Sequence, residues 1–280
     1  MVSTMTSPGQ IFYDSHMHTP LCKHALGEPE EYAEVGKARG LKGIIMTCHS
    51  PMPHAFSHAV RMAPSQFDDY VSLVQRATKA FSDTDFEVKL GMESDWFPGM
   101  EDWLKDLHQR AEFHYILGSV HYHIPEYRED FWKGDAMEFQ RGYFRHLAEA
   151  AESGLFDSIS HPDLVKNAFP DTWNHAAVEE TVIETLDRIQ ETGVAMELNT
   201  SGIHKAIPEM NPGIEMLKLM AERKIPVVLG SDSHQPKRVG AQFDMALDIL
   251  LNAGYEEVSF FHERRRQSLP IRDVLASLQD

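Results

Sequence analysis

The chain has 280 residues, 42% of them apolar, enough for one sizeable core, and a formal net charge of −17 from 43 acidic and 26 basic residues. That balance argues against a nucleic-acid groove or an anionic membrane surface, both of which need a basic footprint. No apolar run approaches the roughly 18 residues of a membrane span, "MVSTMTSPGQ" lacks the charged-then-apolar pattern of a signal peptide, and two cysteines, Cys22 and Cys48, make no disulfide framework, so a reducing cytoplasm is the expected compartment.

Residues 1–9 read as a poorly ordered extension of a single domain spanning 1–280. The first β-rich run is "QIFYDSH", followed by helical periodicity over 28–39 that opens on Pro29 and a cluster of acids. Next come the strand "LKGIIMTCH", a helix over 65–82 behind Pro64, and the strands "FEVKLGMESD" and "FHYILGSVHY". A helix over 135–153, the strand "FDSISHPD", a helix over 174–191 and the strand "GVAMELNTSG" continue the alternation. A helix over 213–224, the strand "IPVVLGSDSH" and a helix over 239–252 lead to "GYEEVSFF", an eighth and shorter strand. The basic run "ERRRQ" at 263–267 is too short and isolated for a nucleic-acid site, and reads as a solvated loop or the edge of a terminal strand. Strand–helix alternation repeated about seven times implies a parallel sheet with helices outside, and the near-continuous apolar runs imply strands buried on both faces.

Each of seven strands ends in a chemically capable residue: His16/His18, His49, Glu93, His121, His161, Asn199 and Asp232/His234. Polar strand exits alone would favour Ser, Asn, Asp and Gly; His or Glu at most of these ends is a different pattern. In a closed barrel all C-terminal strand ends face one mouth, whereas in an open sheet only those near a switch point meet. Closure is therefore the expectation.

The His16/His18 pair and the Asp232/His234 pair are each two apart, so on a strand both members share a face. With His24, His49, Glu93, His121 and His161 they make seven histidines and two carboxylates. Neutral imidazole and carboxylate suit Zn, Mn, Fe or similar divalent ions, and nine donors suit two or three ions with a bridging carboxylate. Cys22, beside His24, is not expected to bind. Cys48 should point away from His49 and serve as a buried thiol.

The order H-x-H, His24, His49, Glu93, His121, His161, D-x-H resembles the polymerase-and-histidinol-phosphatase (PHP) superfamily over nearly the whole chain. The segment "DSHMHTPLCKHALGEPEEYAEVGKARGLKGIIMTCHSPMP" and "MELNTSG" most resemble its monofunctional histidinol-phosphate phosphatase branch. The resemblance implies an α/β fold, a distorted TIM-like (β/α)7 barrel with a trinuclear centre at the strand ends. By position, His16, His18, Glu93 and Asp232 would hold one ion. Glu93, His121 and His161 would hold a second, and His24, His49 and His234 the third.

Such a centre would make the mouth locally cationic in an acidic protein and suit a small phosphomonoester, with a metal-bridging hydroxide as nucleophile. Hydrolysis of L-histidinol phosphate to L-histidinol and phosphate, a step of histidine biosynthesis, is the reaction the resemblance implies. Another small phosphomonoester is the nearest alternative, and an amidohydrolase-type hydrolase or a non-catalytic metal protein lies further off. Glu93, Asp232 and His234 are expected to bear on catalysis, with bound water, His204 or Asp232 as proton donor to the leaving alcohol. Arg61, Lys166, Asn199, Ser201 and His204 are the candidate substrate contacts, Lys166 standing where the family often has an arginine. Asp14 and Asp163 are candidates to orient ligand imidazoles, or else turn aspartates.

Overall fold

The computed structural model describes residues 10–278; the expected extension at 1–9 lies outside them. In chain order the elements are β1 (Tyr13–Asp14), α1 (Pro29–Ala38), β2 (Gly43–Met46), α2 (Phe67–Ala80), β3 (Glu87–Asp95), α3 (Glu101–His108), β4 (Tyr115–Ser119), α4 (Pro125–Phe131) and α5 (Ala136–Glu152). Then follow β5 (Ser158–Ile159), α6 (His175–Thr192), β6 (Ala195–Asn199), α7 (Ile214–Glu222), β7 (Val227–Gly230), α8 (Phe243–Ala253), β8 (Glu257–His262), β9 (Arg265–Pro270) and α9 (Ile271–Leu278). Helix starts follow their sequence signals. Pro29 opens α1 beside a Glu28/Glu31 capping box, and the Asp135 carboxylate caps α5 by accepting from the Met137 and Glu138 amides. No helix among the described residues is long and apolar enough to cross a membrane.

One sheet runs β1 to β9 in sequence order, parallel through β8, with β9 antiparallel to β8. β2, β4, β6 and β7 are buried along their whole length. Outward-facing residues such as Ile44, Met46 and Ile116 join the main core between strands and helices. Inward-facing Tyr13, Ile45, Tyr115, Leu117, Ala195, Val228 and Phe261 form a second apolar cluster inside the ring, at its base.

Closure is made differently at the two ends. At the mouth, Met17 and Ser233 form a parallel bridge joining the extensions of β1 and β7, with His18 N–H donating to Ser233 O (2.9 Å) and Ser233 N–H to His16 O (3.1 Å). Asp14 reinforces it, accepting from the Ser231 amide at 3.0 Å, the Gly240 amide at 2.7 Å and the Ser231 hydroxyl. At the base, β7 meets β8 at a single register pair, Val228–Ser259, and Phe260 of β8 stacks on Tyr13 of β1 at 5.0 Å. The ring of seven metal-side strands is thus sealed by β8 only at its lower end, which is the distortion.

The expected eighth strand is β8, and "ERRRQ" becomes a tight turn plus an edge. Glu263 and Arg264 both have left-handed backbone (φ 50° and 62°) and turn the chain into the exposed strand β9. The short helices α3, α4 and α9 escaped the periodicity reading because eight or fewer residues span barely two turns.

Candidate metal centre at the barrel mouth

Strand order carries the nine candidate ligands to one place. Glu93, buried near the end of β3, is the hub. Its Oε1 lies 3.1 Å from His161 Nε2, 3.5 Å from His121 Nε2 and 3.5 Å from His16 Nε2. Its Oε2 lies 2.7 Å from His49 Nδ1 and 3.7 Å from His18 Nε2. Asp232 Oδ1 sits 3.2 Å from His18 Nε2 and 3.7 Å from His16 Nε2. At the rim, His24 Nε2 and His234 Nε2 face each other at 2.9 Å, and His18 stacks on His234 with centroids 4.0 Å apart.

The donor set fits divalent ions. His16 Nε2 and His18 Nε2 are buried without a hydrogen-bond partner and converge on Glu93 and Asp232, and His49 Nδ1 and Glu93 Oε2, though 2.7 Å apart, do not meet in hydrogen-bonding geometry. Unpaired buried polar atoms are costly, so a cluster of them aimed inward is the arrangement a metal ion would satisfy. Groups close enough to share an ion include His16/His18/Asp232, His18/His49/His234 and His49/Glu93/His121. The first falls within the split implied by the resemblance; the other two cross it, because His49 lies near Glu93 as well as near the rim histidines. Cys22 also lies within ligand range of His24 and His234, and both cysteines are buried beside His18.

Charge follows geometry. Burial by itself would raise the Glu93 carboxyl, but the imidazoles of His49, His16 and His121 outweigh it and hold it well below the usual range. Asp232 is lowered in the same way against its own burial, chiefly by His16 and His18. Burial dominates at His49 and at His234, driving the second down to about 3 and leaving both rings neutral, the form that binds metal. Two of the candidate ligands have strained, left-handed backbone, His161 at φ 23° and Asp232 at φ 48°.

The partners that orient these imidazoles differ from those expected. Asp14 ties β1 to β7, and burial pushes its carboxyl up to about 6; Asp163 accepts from Lys166, the Asn211 amide and the Gly213 backbone. Neither touches a ligand imidazole. Instead Glu197 Oε1 takes His16 Nδ1 at 2.6 Å, Asp95 takes His121 Nδ1, and carbonyl oxygens take two more: Cys22 O for His24 (2.7 Å) and Asp232 O for His234 (3.0 Å). Glu197 and Asp95 went unread in the sequence. Each lies two residues from a candidate on the same strand, Asn199 and Glu93, and so shares its inward face; that spacing was the available signal.

A cavity of about 520 Å³ opens over the cluster, lined by ligands together with Tyr122, His123, Leu164, Asn167, Lys205 and Ala206. Several expected substrate contacts are elsewhere. Arg61 is buried and its guanidinium is spent on Asp95 and on Ser50 O. Lys166 is buried beneath the floor, paired with Asp163 and Glu209. His204 points to solvent, while its neighbour Lys205 reaches the cavity with Nζ 3.9 Å from Asp232 Oδ2. Asn199 and Ser201 are buried at the edge of the cluster.

A parallel ring of strands with this donor set at its mouth defines a class, and the PHP domain model matches residues 14–201: the chain belongs to the PHP domain family. It is 36% identical over 258 residues to a probable histidinol-phosphatase of Deinococcus radiodurans, covering 90% of this chain and 97% of that one. It is 26% identical to the histidinol-phosphatase of Bacillus subtilis, over 84% of this chain and 98% of that one. Its fold matches that of the Lactococcus lactis histidinol phosphate phosphatase, solved with zinc, L-histidinol and phosphate, at a TM-score of 0.77 and 20% identity, covering 91% and 98% of the two chains.

Proposed function

We propose that this protein is a metal-dependent phosphomonoesterase that hydrolyses L-histidinol phosphate to L-histidinol and phosphate. The observation that carries the chemistry is the set of buried, partnerless imidazole and carboxylate atoms converging at one barrel mouth beneath an open cavity. The relatives named for histidinol phosphate supply the substrate.

His16, His18, His24, His49, Glu93, His121, His161, Asp232 and His234 would hold the ions, three in number on the family pattern, with Glu93 shared between two of them. Bound divalent ions supply Lewis-acid charge to the phosphoryl group and lower the pKa of water for attack. The chain's own work is positional. Asp95 and Glu197 hold the rings of His121 and His16 with their free nitrogens turned toward Glu93. Lys205 lines the cavity 3.9 Å from Asp232 and would offer a phosphoryl group a single point charge rather than a fork. Tyr122, His123 and Leu164 wall the side of the cavity left for the alcohol. The protein's two buried, free cysteines support a reducing cytoplasm as the compartment. Amidohydrolase chemistry fits less well: the buried lysine of β3, Lys89, faces the base beside Tyr13 and His262 instead of the metal groups.

The test is phosphate release from a panel of monoesters by protein loaded with Zn or Mn. Histidinol phosphate should be turned over fastest; equal rates across the panel would leave the reaction class and remove the substrate assignment.

A further inference from the structure

The segment "MELNTSG" supplies none of the candidate ligands, although Glu197, Asn199 and Ser201 are all buried beside them. We propose that Glu197, Asn199 and Ser201 are positioning residues, a polar rail along β6 and the turn after it that sets three metal ligands at once. The proposal rests on the reading of the nine-residue cluster as a divalent-metal site.

Glu197 is 1% exposed and serves two ligands. Its Oε1, 2.6 Å from His16 Nδ1, fixes the tautomer: the proton stays on Nδ1, and Nε2 turns its lone pair toward Glu93 and Asp232, 3.5 and 3.7 Å away. Its Oε2 accepts the His161 backbone N–H at 2.9 Å. His161 has a left-handed backbone, φ 23°, that a histidine adopts only when its surroundings hold it there. That hydrogen bond is part of the hold.

Asn199, two residues on and on the same face, extends the rail. Its Nδ2 donates to Glu197 Oε2 at 3.0 Å, which turns Oδ1 toward Ser201, whose backbone N–H donates to it at 2.9 Å. Ser201 Oγ lies 2.7 Å from Asn199 Oδ1 and 2.9 Å from Asp232 Oδ2. Its one proton can serve either acceptor, and the carboxylate, with no proton of its own, is the stronger. Asp232 is the other ligand with left-handed backbone, φ 48°. The rail therefore ends on the His16 side chain, the His161 backbone and the Asp232 carboxylate.

The opposing strand is cut to fit. A Cβ at Gly230 of β7 would lie 2.0 Å from Glu197 Oε1 and 2.6 Å from His16 Cβ. Only glycine leaves room there for the carboxylate–imidazole contact. The arrangement also reassigns Asn199 and Ser201. The Asn199 amide already has partners at both ends, so neither of its polar atoms is turned to a substrate.

The experiment uses the full chain, stripped of metal and reloaded, as wild type, Glu197→Gln and Ser201→Ala. The readouts are the affinity for Zn measured against a competing chelator, and kcat and KM at limiting and at excess metal. Partners of ligating histidines typically matter by about 10–100-fold in metal affinity. Glu197→Gln should lose affinity in that range and recover activity with excess metal, at unchanged KM. Ser201→Ala should move the same way by less, and stands in if the glutamine variant fails to fold. Wild-type metal affinity in both variants, or a raised KM in Ser201→Ala with metal affinity intact, overturns the rail and makes Ser201 a substrate contact. A wild-type chain that binds no divalent ion overturns the metal reading, and the rail with it.

Discussion

The two ends of the barrel are built on opposite terms. At the base, Tyr13, Ile45, Tyr115, Leu117, Val228 and Phe261 fill the interior, and the buried lysine there is satisfied: Lys89 donates to His262, pairs with Glu87 at 2.7 Å and lies over the Tyr13 ring. At the mouth the same ring of strands turns unpaired imidazole and carboxylate atoms inward and holds His161 and Asp232 in left-handed backbone. Packing at one end stabilises; convergence at the other costs stability and supplies a site. In barrels of this kind the two tasks separate along the strand axis because successive inward positions of each strand report to different layers.

That separation can be broken on purpose. The largest effect should come from Glu93→Ala, which removes the carboxylate that five histidines approach within 3.7 Å: bound metal falls and turnover drops by at least about 10³-fold, the scale of losing a group that acts with the metal. Retained activity in that variant would disprove the Glu93-centred site. Phe261→Ala, which empties the base beside Tyr115 (centroids 5.2 Å apart), should do the reverse. Unfolding free energy should fall by about 3–5 kcal/mol in denaturant titration, with kcat/KM unchanged wherever the protein is still folded. A collapse of kcat/KM in the folded variant would show that the two ends are coupled. The smallest effect belongs to Lys205→Met, where a half-exposed single charge is lost: KM should rise about tenfold, with metal content unchanged, and the rise should shrink at high salt.

The metal-ligand reading was legible because strand ends speak in residue type. Histidine or glutamate at the exit of an apolar run needs no contact map to be noticed, and six such exits among seven imply a shared mouth. The substrate contacts were legible only as charges. Arg61 and Lys166 carry the right groups, yet each is buried against carboxylates; Asp163 is a local partner of Lys166, but sequence distance gives no hint of Asp95 for Arg61 or Glu209 for Lys166. His204 and Lys205 are neighbours on a short turn, and which of them reaches the cavity is decided by backbone direction.

Pattern alone therefore determined the alternation of strands and helices, the closed ring and which side chains gather at its mouth, since these follow from local periodicity and residue chemistry. Tertiary structure decided the rest: how the ring seals, with β1 bridged to β7 at the mouth and β8 packed on β1 at the base, and which carboxylate turns which imidazole. Glu197 and His16 are 181 residues apart in the chain and 2.6 Å apart in space. A hydrogen bond of that kind depends on the register and pleat of several strands at once, a quantity that no local stretch of sequence contains.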